Sequence, residues 1–191
     1  MRTSASSQDG IAALRQRLFF ANELLKLAVR ELEGDALNRQ AVAMACRQSA
    51  VLQLHAVLTG LLDDIAGRLR VGRDPAALTI DALDAALRAK GMASPELNRV
   101  ALLAESGWLH DCIDEARRCL SATPGGQRDA VDDHGHDHHD PAPIPAGRIA
   151  VTVVAAAQPE LLDAADIARI RSWISGWKAL LDEFLVTLEE F

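Results

Sequence analysis

Ile167-Ala-Arg-Ile170-Arg-Ser-Trp173-Ile174-Ser-Gly-Trp177-Lys-Ala-Leu180-Leu181-Asp-Glu-Phe184 decides the fold class of this chain. Ile167, Ile170, Ile174, Trp177, Leu181, Phe184, Leu188 and Phe191 recur at alternating steps of three and four. A helix of 3.6 residues per turn brings such positions onto one face, whereas a half-buried strand needs alternation at every second residue. Trp173 and Leu180 flank the stripe and Asp163 offers an N-cap, so the spacing predicts a helix over 164–191. A seam this long belongs to a coiled-coil-like bundle helix or to a dimer stripe.

The same rule, carried to the N-terminal side, predicts a first helix over 7–33. Its stripe is Ile11, Leu14, Leu18, Ala21, Leu25, Ala28 and Leu32, widened by Phe20, Leu24 and Leu27. Gly34 is expected to end it in the left-handed conformation that glycine adopts without strain. A second helix is predicted over 35–69, with Leu37, Ala41, Met44, Gln48, Val51, His55, Leu58, Leu62, Ile65 and Leu69 on its stripe. Val42, Leu52, Ala56 and Leu61 add apolar surface beside it, the mark of a central helix. Gln48 and His55 are the polar interruptions of that stripe. They are either hydrogen-bonded core residues that set register or the lining of a polar pocket in which His55 titrates near neutral pH.

Between these helices and the last one the pattern is shorter. Residues 71–77 read as a loop through Gly72, Asp74 and Pro75, and a short helix over 80–90 is bounded by Thr79 and Gly91. Ser94-Pro95 is a helix start, because serine caps and proline fits the first helical position. Leu97, Val100, Ala101 and Ala104 follow. Ser106-Gly107 marks a kink or break, and 108–121 continues in line with Leu109, Ile113, Ala116 and Leu120. Residues 122–160 differ in kind, being rich in Pro, Gly, Asp and His, and read as a flexible linker or insertion. Ile149–Val154 within it is β-branched but has no strand partner elsewhere. The expected fold is all-α, a single domain over 1–191. Its architecture is an up-and-down four-helix bundle of long helices, with one short extra helix and a disordered His/Asp/Pro-rich linker.

Bulk properties bound the function. The 191 residues carry a net charge of −7, with 49% hydrophobic, 25% charged and 4% aromatic side chains. That is globular composition, and an acidic chain with only Lys26, Lys90 and Lys178 as lysines offers no phosphate-coating face, so no nucleic-acid partner is expected. The longest charge-free apolar run on a helix, Gln48 to Leu62, is shorter than the about 18 residues that mark a membrane span, and no membrane partner is expected. Cys46, Cys112 and Cys119 form no disulfide framework. Reduced thiols and the lack of a secretory apolar segment point to a cytoplasmic protein.

Chemical motifs are few. Asp132-Asp-His134-Gly-His136-Asp-His138-His139-Asp140 packs four imidazoles and four carboxylates into nine residues. His134, His136, His138 and His139 are therefore candidate ligands for a divalent metal such as Zn²⁺, Ni²⁺ or Cu²⁺, within a segment that offers no second shell to fix a closed site. No other cofactor is expected. Cys112 and Cys119 share a helix face one heptad apart, a spacing commoner for buried hydrophobes than for ligands. Carboxylate-bridged di-iron chemistry needs Glu-x-x-His pairs, and none occurs. Helical nucleases of the HEPN type use Arg and His with four to six residues between them on a helix. Arg47 and His55 are separated by seven, and Arg128 and His134 fall in the linker. Ala82 to Arg99 has two helices and a turn but no basic recognition helix.

Leu18-Phe-Phe-Ala-Asn-Glu-Leu-Leu25, the stretch from Asn38 to Leu62, Ser94-Pro-Glu-Leu97, Ser106-Gly-Trp-Leu109 and Trp177 with its long helix together resemble a family of bacterial, mostly gammaproteobacterial, all-helical proteins of unknown function. The resemblance implies a helical fold and no assigned activity or cofactor, and the His/Asp segment departs from its pattern. With no catalytic constellation present, the expectation is a non-enzymatic helical interaction module acting on a protein partner or by self-association. The alternative is a helical protein binding a metal or small ligand at the linker or at a pocket around His55, and an enzyme comes third.

Overall fold

Six helices make up the regular structure of the computed structural model, which describes residues 3–71, 78–121 and 161–189. They are α1 (Thr3–Glu33), α2 (Arg39–Arg68), α3 (Ile80–Ala89), α4 (Pro95–Ser106), α5 (Trp108–Ser121) and α6 (Ala164–Glu189), and no strand occurs among the described residues. The all-α class is what the periodicity predicts. The linker 122–160, with its His cluster and the Ile149–Val154 stretch, lies outside the described residues.

Helix starts follow local chemistry. The first N–H groups of a helix have no intrahelical acceptor, and side-chain oxygens take that role here. Thr79 Oγ1 accepts from Ala82 N at 3.2 Å, Ser94 Oγ from Leu97 N at 3.2 Å, and Asp163 Oδ1 from Asp166 N at 2.8 Å. Gly91 ends α3 at φ 68°, a left-handed conformation that costs other residues more than glycine. Gly34 does not have the positive φ expected of it. The connection after α1 is longer than expected too, since α2 begins at Arg39 and Leu37 is fully solvent-exposed.

α1 packs along α2 and α6, α2 also along α5, and α5 along α4 and α6. The contacts run in opposite chain directions. Gly10 faces Asp64, Leu14 faces Gly60 and Arg17 meets Gln53, so α1 and α2 are antiparallel. Arg15 pairs with Asp182, and Leu18, Asn22 and Lys178 line one shallow groove with them, which makes α6 antiparallel to α1. The α1 stripe from Ile11 to Ala28 and the α6 stripe from Ile167 to Phe184 are buried as predicted. Phe20 is the exception on α1, being 43% exposed.

α2 departs furthest from expectation. Its buried positions are Ala43, Cys46, Arg47, Ala50, Val51 and Leu54, followed by Val57, Leu58, Leu61, Leu62, Ile65 and Ala66. Gln48 is exposed, so it is not a core residue, and Arg47 beside it is the buried polar group. By length and composition α2 could cross a membrane, but half of that apolar window is buried within the fold.

Gly107 breaks the helix between α4 and α5. Its ψ of −172° is extended, far from the about −42° of a continuing helix. The two segments are therefore separate helices and do not continue in line. At the α5–α6 contact, Trp108 lies against Gly176 and meets the Trp177 ring edge-on, with centroids 5.4 Å apart. A Cβ at Gly176 would sit 2.6 Å from Trp108 Cε2. Overpacking of about 1–3 kcal/mol against a rigid ring outweighs the helix-propensity gain of about 1 kcal/mol. Gly176→Ala is thus expected to lower the urea midpoint, and a raised midpoint would show that the indole swings aside freely.

Candidate functional site

A cleft of about 530 Å³ opens where α2, α3, α4 and α5 meet. α2 turns His55, Leu58 and Leu62 towards it, because these follow one another at steps of three and four on one helix face. Leu78 and Ile113 complete the apolar wall. Asp81 at the start of α3, Glu105 at the end of α4, and His110 and Arg117 on α5 bring charge and hydrogen-bonding groups to it. Half of the lining is polar, so the cleft is more polar than the usual small-molecule site, an apolar hollow with a few convergent polar groups.

His55 is the unusual member. It makes no hydrogen bond among the described residues, and its Nδ1 is buried without a partner. A buried polar nitrogen left unpaired costs roughly 1–3 kcal/mol. Burial, and secondarily the charge of Arg117, lowers the His55 pKa below the ordinary 6.5, so the ring is neutral at pH 7. A neutral imidazole offers one donor and one acceptor.

His110 is held in place. The Gly107 break puts its ring Nδ1 3.0 Å from the Ala104 carbonyl, so Nδ1 carries the hydrogen, and Nε2 lies 3.4 Å from Asp114 Oδ2. Arg117 Nη1 donates to Asp114 Oδ1 at 3.0 Å. Of the α5 groups at the cleft, Arg117 is thus tied to Asp114 and His110 to the Ala104 carbonyl.

A second polar cluster lies between α2, α5 and α6. Arg47 Nη2 donates to Glu115 Oε1 at 2.5 Å, and Asp166 Oδ1 stands 3.9 Å from the same nitrogen. Arg47 and Glu115 are only 6% and 5% exposed. Arg118 reaches Glu115 from the solvent side, and Arg169 pairs with Asp166. Cys112, one turn from Glu115, is buried, and burial pushes its thiol pKa up to about 12. Every charged group of this cluster has an ionic partner within it, although Arg47 Nε is buried without a hydrogen bond.

Of the candidates read from the sequence, His55 lines the cleft and Gln48 faces solvent. Arg47 is committed to Glu115 and is not among the residues lining the cleft, so Arg47 and His55 do not form one site. All three cysteines are free thiols. No group of three or more His, Cys, Asp or Glu side chains able to hold a metal occurs among the described residues. His134, His136, His138 and His139 lie outside them. Asp81, Glu105, His110 and Arg117 were not anticipated, since only the fold brings four helices to one hollow. No family model, curated protein or solved structure matches the chain.

Proposed function

We propose that this chain is a non-enzymatic helical protein of the cytoplasm that takes a small amphipathic molecule into the cleft around His55. The observation that carries the reading is His55 itself: a neutral imidazole on the wall of a 530 Å³ cleft with no protein partner. A residue kept only for register would be hydrogen-bonded and packed. The scaffold reading is an up-and-down four-helix bundle of α1, α2, α5 and α6, with α3 and α4 walling the cleft. It is supported by the antiparallel α1–α2 and α1–α6 pairings and by the packing of α2 and α6 on α5.

The test is a fragment screen read by the His55 ring resonances in NMR. In the free protein His55 is expected to titrate below 6.5. Fragments with an apolar body and one polar group are expected to shift its resonances and raise the melting temperature. Ala104→Phe, which fills the cleft, is expected to abolish both effects. If no fragment moves His55 and its ring titrates like free imidazole, the proposal falls.

A second reading, docking to a protein partner or a second copy, is favoured by one observation. Phe19 and Phe20 are adjacent on α1, 58% and 43% exposed, with ring centroids 6.0 Å apart. Light scattering is expected to give a larger mass for the native chain than for Phe19→Ser/Phe20→Ser. Equal monomer masses at high concentration remove self-association.

A further inference from the structure

We propose that the His55 cleft selects an organic cation, an amine carried on an apolar body, over neutral or anionic molecules of the same shape. The inference rests on the reading of the cleft as a binding site and adds the charge of its occupant.

Two carboxylates stand at the cleft, Asp81 and Glu105, and neither has an ion pair or hydrogen bond among the described residues. Their placements differ in meaning. Asp81 is in the first turn of α3, where the positive end of the helix dipole stabilises a carboxylate regardless of function. Glu105 is in the last turn of α4, where the dipole is negative and no basic residue compensates. A carboxylate there works mildly against its own helix.

Arg117 also lines the cleft and its charge reaches His55, but it is paired with Asp114, which leaves Asp81 and Glu105 as the excess charge. Arg117 Nη1 donates to Asp114, and His110 Nδ1 donates to the Ala104 carbonyl, with Asp114 an ion-pair partner only for the protonated ring. The neutral His55 ring adds an acceptor that an ammonium or ammonium-derived N–H can use. Against the Leu58, Leu62, Leu78 and Ile113 wall, these groups suit a cation with an apolar tail. An anion would meet two unpaired carboxylates.

Three isosteric probes test this: phenethylamine, 2-phenylethanol and phenylacetate, each titrated into the full chain with the His55 resonances as readout. The amine is expected to bind roughly tenfold or more tightly than the other two at low salt, with the advantage shrinking as ionic strength rises. Asp81→Asn/Glu105→Gln, both exposed positions whose folding is checked by melting temperature, is expected to bring the amine down to the level of the alcohol. If the alcohol or the carboxylate shifts His55 as strongly as the amine does, the charge assignment is overturned while the binding reading stands. If none of the three shifts His55, both are overturned.

Discussion

Glu115→Ala is expected to remove about 3–5 kcal/mol of folding stability, among the largest losses any single change outside the aromatic core would produce. Glu115 is 5% exposed and its Oε1 accepts from Arg47, itself 6% exposed. Deleting the carboxylate leaves a guanidinium in the interior with Asp166 at 3.9 Å as its nearest acidic neighbour. Arg47 Nε already lacks a hydrogen-bond partner, so the site has no spare acceptor to offer. The attraction within the pair is offset by desolvation of both ions, so replacing the two together behaves differently. Arg47→Met/Glu115→Leu is expected to recover most of the loss, and urea denaturation of the two variants and the parent compares them directly. A single variant that loses less than about 1 kcal/mol would mean that water reaches the pair and that the interior description of it is wrong.

Trp177→Ala is expected to be equally damaging, at about 3–5 kcal/mol. Trp177 is fully buried, meets Trp108 edge-on at 5.4 Å and stands next to Gly176, against which Trp108 lies. Its removal opens a cavity at the α5–α6 contact and strips Trp108 of its ring partner. Trp177 Nε1 is buried beside the Cys112 thiol without reaching full hydrogen-bond geometry, so Trp177→Phe sacrifices volume and only a weak N–H···S contact. The phenylalanine variant is therefore expected to lose less than half as much. Denaturation followed by tryptophan fluorescence measures both, and equal losses would show that the indole N–H is a structural donor after all.

The sequence and the structure agree where apolar residues alone define the face. Ile11, Leu14, Leu18, Ala21, Leu25 and Ala28 are buried in α1, and Ile167 to Phe184 in α6, because each stripe stands against polar neighbours. The caps at Thr79, Ser94 and Asp163 are equally legible, since a side-chain oxygen answers a local need. α2 misled because Ala41 to Cys46 is an unbroken apolar run with no polar side to orient it, and alanine at Ala43 and Ala50 marks a buried face no more strongly than at Ala41. The face was settled by Arg47, which reads as solvent-facing until a carboxylate 68 residues away is placed beside it. One signal was available: Cys112 and Cys119 share a face one heptad apart, and Glu115 lies between them on that face. The cleft was legible only through His55. Asp81, Glu105 and Arg117 look like ordinary surface charges until four helices converge on them.

The buried Cys112 thiol makes the α5–α6 seam its own reporter. With burial holding its pKa at about 12, almost no thiolate exists in the closed chain at neutral pH, and thiolate is the form that reacts. Any alkylation of Cys112 has to pass through a conformation in which that seam has parted. Its rate therefore records how often the helices separate, a clock for local opening built into the chain without an added label.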